Sequence, residues 1–369
     1  MGVALLLAGG ATPEAGKPSL TPISKEERLS YLRRAQVWRR TDIPSLDLRQ
    51  GPPGGFAPDQ DVACDYVVPE KKLAGTSPKF DCALAPGEVV KVKYGDANGE
   101  VFAAVAASRL FWALGFGADA VYRVRVTCRN CPADPWKASM PRLPAVVFEN
   151  ATIERKLPGE EIAHEDGEGW GWDELALVDP SEGGAPLEQR EALTLLAVFV
   201  QHTDNKKANQ RLVCLPEGQG KEGARATCTA PFLVTHDLGS TFGHGGLFGA
   251  PTTGSADFKA WSSLALWESP RSCRTHLGGN ITFHTLKDPV ISEAGRVFLA
   301  DLLAQLSDGQ IRDLFTAARI DRRGWHSPKD EERNGTIDQW VAAFKTHRAE
   351  VVEHTCPPLP AKGEAPGPD

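Results

Sequence analysis

The sequence predicts an α+β protein folded as two lobes, a β-rich N-lobe and a mainly helical C-lobe. Three observations predict it. Short alternating segments separated by tight-turn residues fill the region after Lys71. Helical spacing of Leu, Phe and Val dominates the last third. A chain of 369 residues is long for one core, so two lobes or two domains is the starting expectation. The boundaries read as a signal-like or disordered N-terminus over 1–23, an N-lobe over 24–150, a C-lobe over 151–355 and a disordered tail over 356–369.

The elements follow in order. Ser24 has the character of a helix N-cap with Glu27 three residues on, which predicts a helix to Arg39. Ile43 to Pro58 is Pro/Gly-rich and reads as a wrapping loop. Lys72 to Ala74, Lys79 to Leu84 and Val89 to Tyr94 read as three strands, split by Gly75-Thr76-Ser77-Pro78 and Ala85-Pro86-Gly87-Glu88. Glu100 to Leu114 is a helix closed by Gly115. Val121 to Thr127 and Val146 to Phe148 read as further strands. Leu187 to Val200 is an amphipathic helix that stops just before His202. Strands at Arg211 to Leu215, Ala226 to Cys228 and Phe232 to Thr235 follow, and then helices at Ile291 to Leu306 and Ile311 to Ala318, the last with Ser307 and Gln310 at capping-box spacing.

Charge and hydropathy exclude some functions. The net charge is −7, from 41 basic and 48 acidic residues without a basic block, so nucleic acid is not an expected partner. No apolar run reaches the roughly 18 residues of a membrane span. Val3 to Ala8 followed by Gly9-Gly10-Ala11 resembles the apolar and cleavage regions of a signal peptide, without its basic start. The eight cysteines agree with export, so the expected location is secreted or periplasmic, with a cytoplasmic chain as the alternative. Cys64–Cys82, Cys128–Cys131 and Cys214–Cys228 are the local pairings, leaving Cys273–Cys356, among on the order of a hundred connectivities. Cys128-Arg129-Asn130-Cys131 is one C-x-x-C without a second pair, so a disulfide or free thiols are preferred to a metal site.

The chemistry lies in two motifs. His202-Thr203-Asp204-Asn205-Lys206-Lys207-Ala208-Asn209 fits H-x-D-x-x-x-x-N, with a helix before it and a strand after it. His236-Asp237-Leu238-Gly239 follows a short apolar strand. Transfer of a γ-phosphoryl group needs a carboxylate to orient the attacking hydroxyl, two side chains to hold a metal, and a lysine on the phosphates. Asp204 suits the first role and Asn209 with Asp237 the second, Mg²⁺ being the expected ion and Mn²⁺ a substitute. Lys206 is placed to steady the moving phosphate. Upstream, Lys91 and Lys93 share one face of a strand, and Glu100 opens the next helix, where a lysine-pairing acid belongs. Gly75, Thr76, Ser77 and Lys79 form a turn placed to cover phosphates. Each match taken alone is as easily a plain turn or an exposed lysine. His202 and His236 read as supports for their loops, Trp170 and Trp172 as packing residues, and the acidic run from Glu160 to Glu168 as a solvated loop.

Gly75-Thr76-Ser77-Pro78-Lys79-Phe80 resembles the G-x-Q-x-K phosphate loop of HipA-like kinases, which are similar in fold to phosphatidylinositol 3-kinases. Val92-Lys93-Tyr94 resembles their strand lysine, which favours Lys93 over Lys91. His202 to Asn209 and Asp237-Leu238-Gly239 resemble their catalytic loop and metal-binding D-x-G. The run is also similar to uncharacterised secreted bacterial kinase-like proteins. The resemblance spans residues 70 to 320 by order of motifs. It implies a protein-kinase-like fold and an ATP- and Mg²⁺-dependent enzyme acting on a protein or small-molecule acceptor. The sequence departs from that pattern where an acid is expected near Ala104, with Glu100 one helical turn earlier, and the loop carries one glycine. A lysine without its acid implies the alternative, a pseudokinase serving as a nucleotide-binding or scaffold module. AMP transfer or glutamylation by the same site is a third possibility.

Overall fold

The computed structural model describes residues 20, 22–70, 73, 75, 77–137, 140–164, 169–223, 225–243, 255–277, 285–324 and 333–357. It is a mixed α/β molecule. The strands are β1 (Gln60–Val67), β2 (Lys79–Ala85), β3 (Glu88–Tyr94), β4 (Ala120–Pro132), β5 (Arg142–Arg155), β6 (Glu160–Glu161), β7 (Gln210–Cys214), β8 (Gln219–Glu222), β9 (Arg225–Cys228) and β10 (Pro231–Thr235). The helices are α1 (Lys25–Arg33), α2 (Glu100–Ala113), α3 (Leu187–Phe199), α4 (Phe258–Ser262), α5 (Glu293–Ala304), α6 (Asp308–Ala318) and α7 (Ile337–Glu353). No helix among the described residues is long and apolar enough to cross a membrane.

The first five strands close into a small barrel, β1-β2-β3-β5-β4, antiparallel except where β4 meets β1. Period-two alternation makes it close around an apolar interior. Phe80, Cys82, Val90, Val92 and Tyr94 join the barrel core, and Phe148 lies 5.2 Å from Phe80 and 4.7 Å from Tyr94 between ring centroids. The alternate positions carry charge. Lys79 stands opposite Lys93, Asp81 opposite Lys91, and Lys91 opposite Glu154.

A larger core gathers α2, α3, α5, α6 and α7, with Phe242, Trp261, Phe315 and Trp340 in mutual ring contact at its centre. Helix α2 is buried from Val101 to Phe111 because it is apolar almost all round, and such a helix must be enclosed. It also packs against β4, β5 and β3 of the barrel, so it lies between the two cores. At its end Gly115 has φ +85°, and a Cβ there would sit 2.0 Å from the Arg39 carbonyl oxygen.

All eight cysteines are paired, as Cys64–Cys82, Cys128–Cys131, Cys214–Cys228 and Cys273–Cys356. The C-x-x-C is therefore a disulfide. Four pairs at bonding distance are compatible with an oxidising location. The signal-like segment lies outside the described residues.

Several boundaries differ from expectation. The first barrel strand is Gln60–Val67; the expected strand at Lys72 to Ala74 falls largely outside the described residues. Helix α1 keeps its Ser24 cap but stops at Arg33, because Gln36 turns extended and exchanges backbone hydrogen bonds with Pro231 and Leu233 of β10. Leu20 is buried and the Ile23 N–H donates to the Ala163 carbonyl, so the chain is anchored before residue 24. Strand β5 runs through residue 150 to Arg155, where a lobe boundary was expected. Glu160 and Glu161 are paired as an edge strand against β7; the rest of the acidic run, 165–168, lies outside the described residues. Cys356 is anchored by its disulfide and by the Glu293 carboxylate.

Candidate active site

Strand β3 delivers Lys93 to the edge of the barrel facing α2. Its side chain is only 7% exposed, and its Nζ donates to Glu100 Oε2 at 2.8 Å and to Asp237 Oδ1 at 3.0 Å. Burial alone would lower this ammonium, but the Asp237, Glu100 and Glu154 carboxylates hold it well above its usual range. Burial alone would likewise raise the Asp237 carboxyl. Lys93 and the Gly239 N–H, 3.0 Å away, hold it far below the usual carboxylate range. Both groups stay charged across the neutral range.

Glu100, in the first turn of α2, is fixed from three sides. Lys93 takes one oxygen and the Ser77 hydroxyl donates to the other. Gly239 closes over it, since a Cβ there would lie 2.7 Å from Glu100 Oε2. Glu100, one helical turn before Ala104, is the acid that meets Lys93; Ala104 is a buried core residue.

Helix α3 leads into the H-x-D loop through Gln201, which adopts φ +52°, a costly left-handed turn for a non-glycine residue. The loop is clasped to the D-L-G turn at both ends. Thr203 N–H donates to the Ser240 carbonyl at 3.0 Å, and the Asn209 carbonyl accepts from His236 and Asp237 N–H at 2.9 and 3.2 Å. Asn209 Nδ2 donates to the Asp204 carbonyl at 2.6 Å, which leaves its Oδ1 as the acceptor. Asn205 braces the loop against Leu286 and Thr285. Asp204 is more exposed, and both its oxygens accept from Lys206 Nζ at 3.0 and 2.8 Å.

Of the other expected site residues, Gly75 has φ +92° and packs against the Lys79 ammonium. Lys79 is lowered by burial first and by the charge of Lys93 second. Thr76 lies outside the described residues. Two expectations need correction. The buried Ser77 hydroxyl is engaged with Glu100, so its side chain supports the acid and is not open to a phosphate. Lys91 does not reach Asp237; its ammonium pairs with Glu154 at 3.3 Å, because β5 places that carboxylate directly across the ladder. His202 is buried beside the Trp172 ring, and Trp170 and Trp172 are buried packing residues.

One part of the site was signalled in the sequence only at His236, read there as a loop support. Asp119, His236, Arg211 and Glu154 form a buried charge network beside the D-L-G turn. Asp119, Glu154 and His236 have the composition of a metal site. However, the Arg211 guanidinium already sits on the Asp119 carboxylate, and that fixed charge opposes a cation. The set Cys273, His354 and Cys356 offers no thiolates, since both cysteines are in a disulfide.

No family model matches the chain, and no curated protein matches it. Among solved structures it is similar to the Helicobacter pylori proinflammatory kinase CtkA, at 11% identity and a TM-score of 0.40, over 80% of this chain and 99% of that one. At that level the likeness is loose.

Proposed function

We propose that the chain is a kinase-like phosphotransferase that uses ATP and Mg²⁺, with Mn²⁺ as a substitute, to move the γ-phosphoryl group to a hydroxyl of a protein or small-molecule acceptor. The observation that carries this reading is the Lys93 ammonium held between Glu100 and Asp237, seven and 144 residues away. A lysine oriented by one acid beside a second acid kept ionised is what a phosphate clamp requires.

The donor set fits the ion. Asn209 and Asp237 offer an amide oxygen and a carboxylate, hard ligands of the kind Mg²⁺ prefers. A bound Mg²⁺ neutralises phosphate charge. Lys93 opposes the charge of the phosphates, with Glu100 holding its direction. Lys79 feels the charges of Lys93, Asp237 and Glu100, and Gly75 packs against its ammonium. Asp204 accepts the proton of the acceptor hydroxyl as its oxygen bonds to the γ-phosphorus and the bond to the departing diphosphate breaks. Lys206, already beside Asp204, steadies the phosphoryl group as it passes.

The scaffold reading was motivated by a lysine without its acid; the Lys93–Glu100 contact at 2.8 Å supports the phosphotransfer reading instead. AMP transfer and glutamylation would leave products of different mass. The test is to incubate the full chain with ATP, Mg²⁺, glutamate and acceptor candidates, itself included, and to read the products by mass. Phosphate addition that disappears in Asp204→Ala is expected. Undiminished transfer by that variant, or a product carrying AMP or glutamate, would overturn the assignment.

A further inference from the structure

Asp119 directly precedes β4 and has a fully buried carboxylate. Three donors converge on it from distant parts of the chain. His236 Nδ1 lies 2.5 Å from Oδ2, the Leu157 N–H donates to Oδ1 at 2.7 Å, and Arg211 Nη2 donates to Oδ1. Its backbone takes part as well. Asp119 N–H donates to the Thr235 carbonyl, and Thr235 N–H to that of Gly117, so residues 117–119 extend the sheet at β10. Glu154 of β5 stands 3.6 Å from the same His236 nitrogen and is paired with Lys91 of β3.

The protonation states follow from this set. Burial would raise the Asp119 carboxyl, but the bond from His236 and the charge of Arg211 hold it below its usual range. An ionised carboxylate only accepts, so His236 Nδ1 is the donor in this contact and the direction of the ring is fixed. The residue after His236 is Asp237.

A buried carboxylate is expensive to keep, and an apolar residue would fill the same space more cheaply. What the carboxylate adds is direction. It connects the start of β4, the segment leaving β5, strand β7 and the turn after β10. We propose that Asp119 is a positioning residue: through His236 it sets the Asp237 carboxylate against Lys93 and Asn209, so that the barrel and the metal-binding turn hold one geometry. This rests on the phosphoryl-transfer reading of Asp237. It assigns Asp119 and His236 no contact with substrate.

The test compares full-length wild type, Asp119→Asn, His236→Gln and the double variant in two measurements. The first is amide exchange over residues 235–240, which needs no nucleotide. The second is the Mg²⁺ concentration at half-maximal stabilisation by a non-hydrolysable ATP analogue, set beside analogue binding without Mg²⁺. Each single variant should exchange faster over 235–240. Each should also need roughly ten-fold more Mg²⁺, the scale on which partners of ligating groups act, while metal-free binding stays the same. The double variant should be no worse than either single one, because both remove one linkage. A folded Asp119→Asn protein with unchanged exchange and Mg²⁺ requirement would overturn the proposal, as would additive effects in the double variant. If Asp119→Asn does not fold, His236→Gln decides by the same criteria. If wild type shows no Mg²⁺ response, the phosphotransfer reading fails and the exchange comparison alone decides the positioning role.

Discussion

The two halves of the candidate site are built on different plans. Lys93, Glu100 and Asp237 are joined across up to 144 residues, with side chains 7%, 17% and 30% exposed, so the ammonium is enclosed and the Asp237 carboxylate is partly open. Asp204 and Lys206 are two residues apart, with side chains 39% and 45% exposed. The first half is held by the fold, and its electrostatics act in a low-dielectric setting where they are strong. The second is held by its own loop, in water, where such pairs contribute little to stability. The difference matches what each would do. A phosphate clamp gains from rigid charge, whereas a group that meets a variable acceptor must be accessible.

That contrast breaks most sharply at Lys93. Lys93→Met should lower turnover roughly 100- to 1,000-fold. It should also cost about 3 kcal/mol of stability, at the low end for uncovering a buried charge because Asp237 is partly exposed. The pH dependence gives the sign. In wild type Asp237 is held low, so its contribution is present above about pH 4 and is lost as pH falls further. Without Lys93, burial raises that carboxyl, and the variant gains on protonation. The melting-temperature gap between the two proteins should therefore narrow from pH 7 to pH 4; a constant or widening gap would contradict the pairing. Asp204→Ala is the opposite case, with turnover down roughly 100-fold or more and stability within about 0.5 kcal/mol of wild type. A large loss of stability there would show that the exposed half is structural.

Smaller effects sharpen the same contrast. Replacing Cys214 and Cys228 by Ser should cost about 2–4 kcal/mol in denaturant unfolding, yet leave turnover nearly intact in protein that is still folded. The disulfide closes the excursion between β7 and β10, and the ladder between those strands is itself continuous. A turnover loss matching that of Lys93→Met would place the disulfide inside the clamp. Lys206→Ala should be the mildest, with stability changed by less than about 1 kcal/mol and a modest turnover loss that saturating acceptor does not restore.

The two loop motifs were legible in the sequence because their spacing is local. Asp204 to Asn209 is one loop, and Asp237 to Gly239 one turn. Lys93 and Glu100 are seven residues apart, so a strand followed by a helix brings them near each other. Period two also located β2 and β3, and capping residues located the starts of α1 and α6. The rest depended on distant contacts. Strand β1 follows a Pro/Gly-rich stretch, and its Val62, Cys64 and Tyr66 alternation has meaning only once β4 lies beside it. Ser77 looked like a phosphate contact until Glu100 stood beside it. Asp119 has partners 92 and 117 residues away, and no local pattern announces it.

The central claim is that Lys93 and Asp237 together bind a metal–nucleotide complex. Thermal unfolding of the full chain with a non-hydrolysable ATP analogue, with and without Mg²⁺, for wild type and Asp237→Asn, tests it most directly. Wild type should be stabilised by about 2.7 kcal/mol at a hundred-fold excess of analogue over its dissociation constant when Mg²⁺ is present, and by less without it. Asp237→Asn should lose the Mg²⁺-dependent part. No stabilisation of wild type, or the same Mg²⁺-dependent shift in Asp237→Asn, would contradict the account.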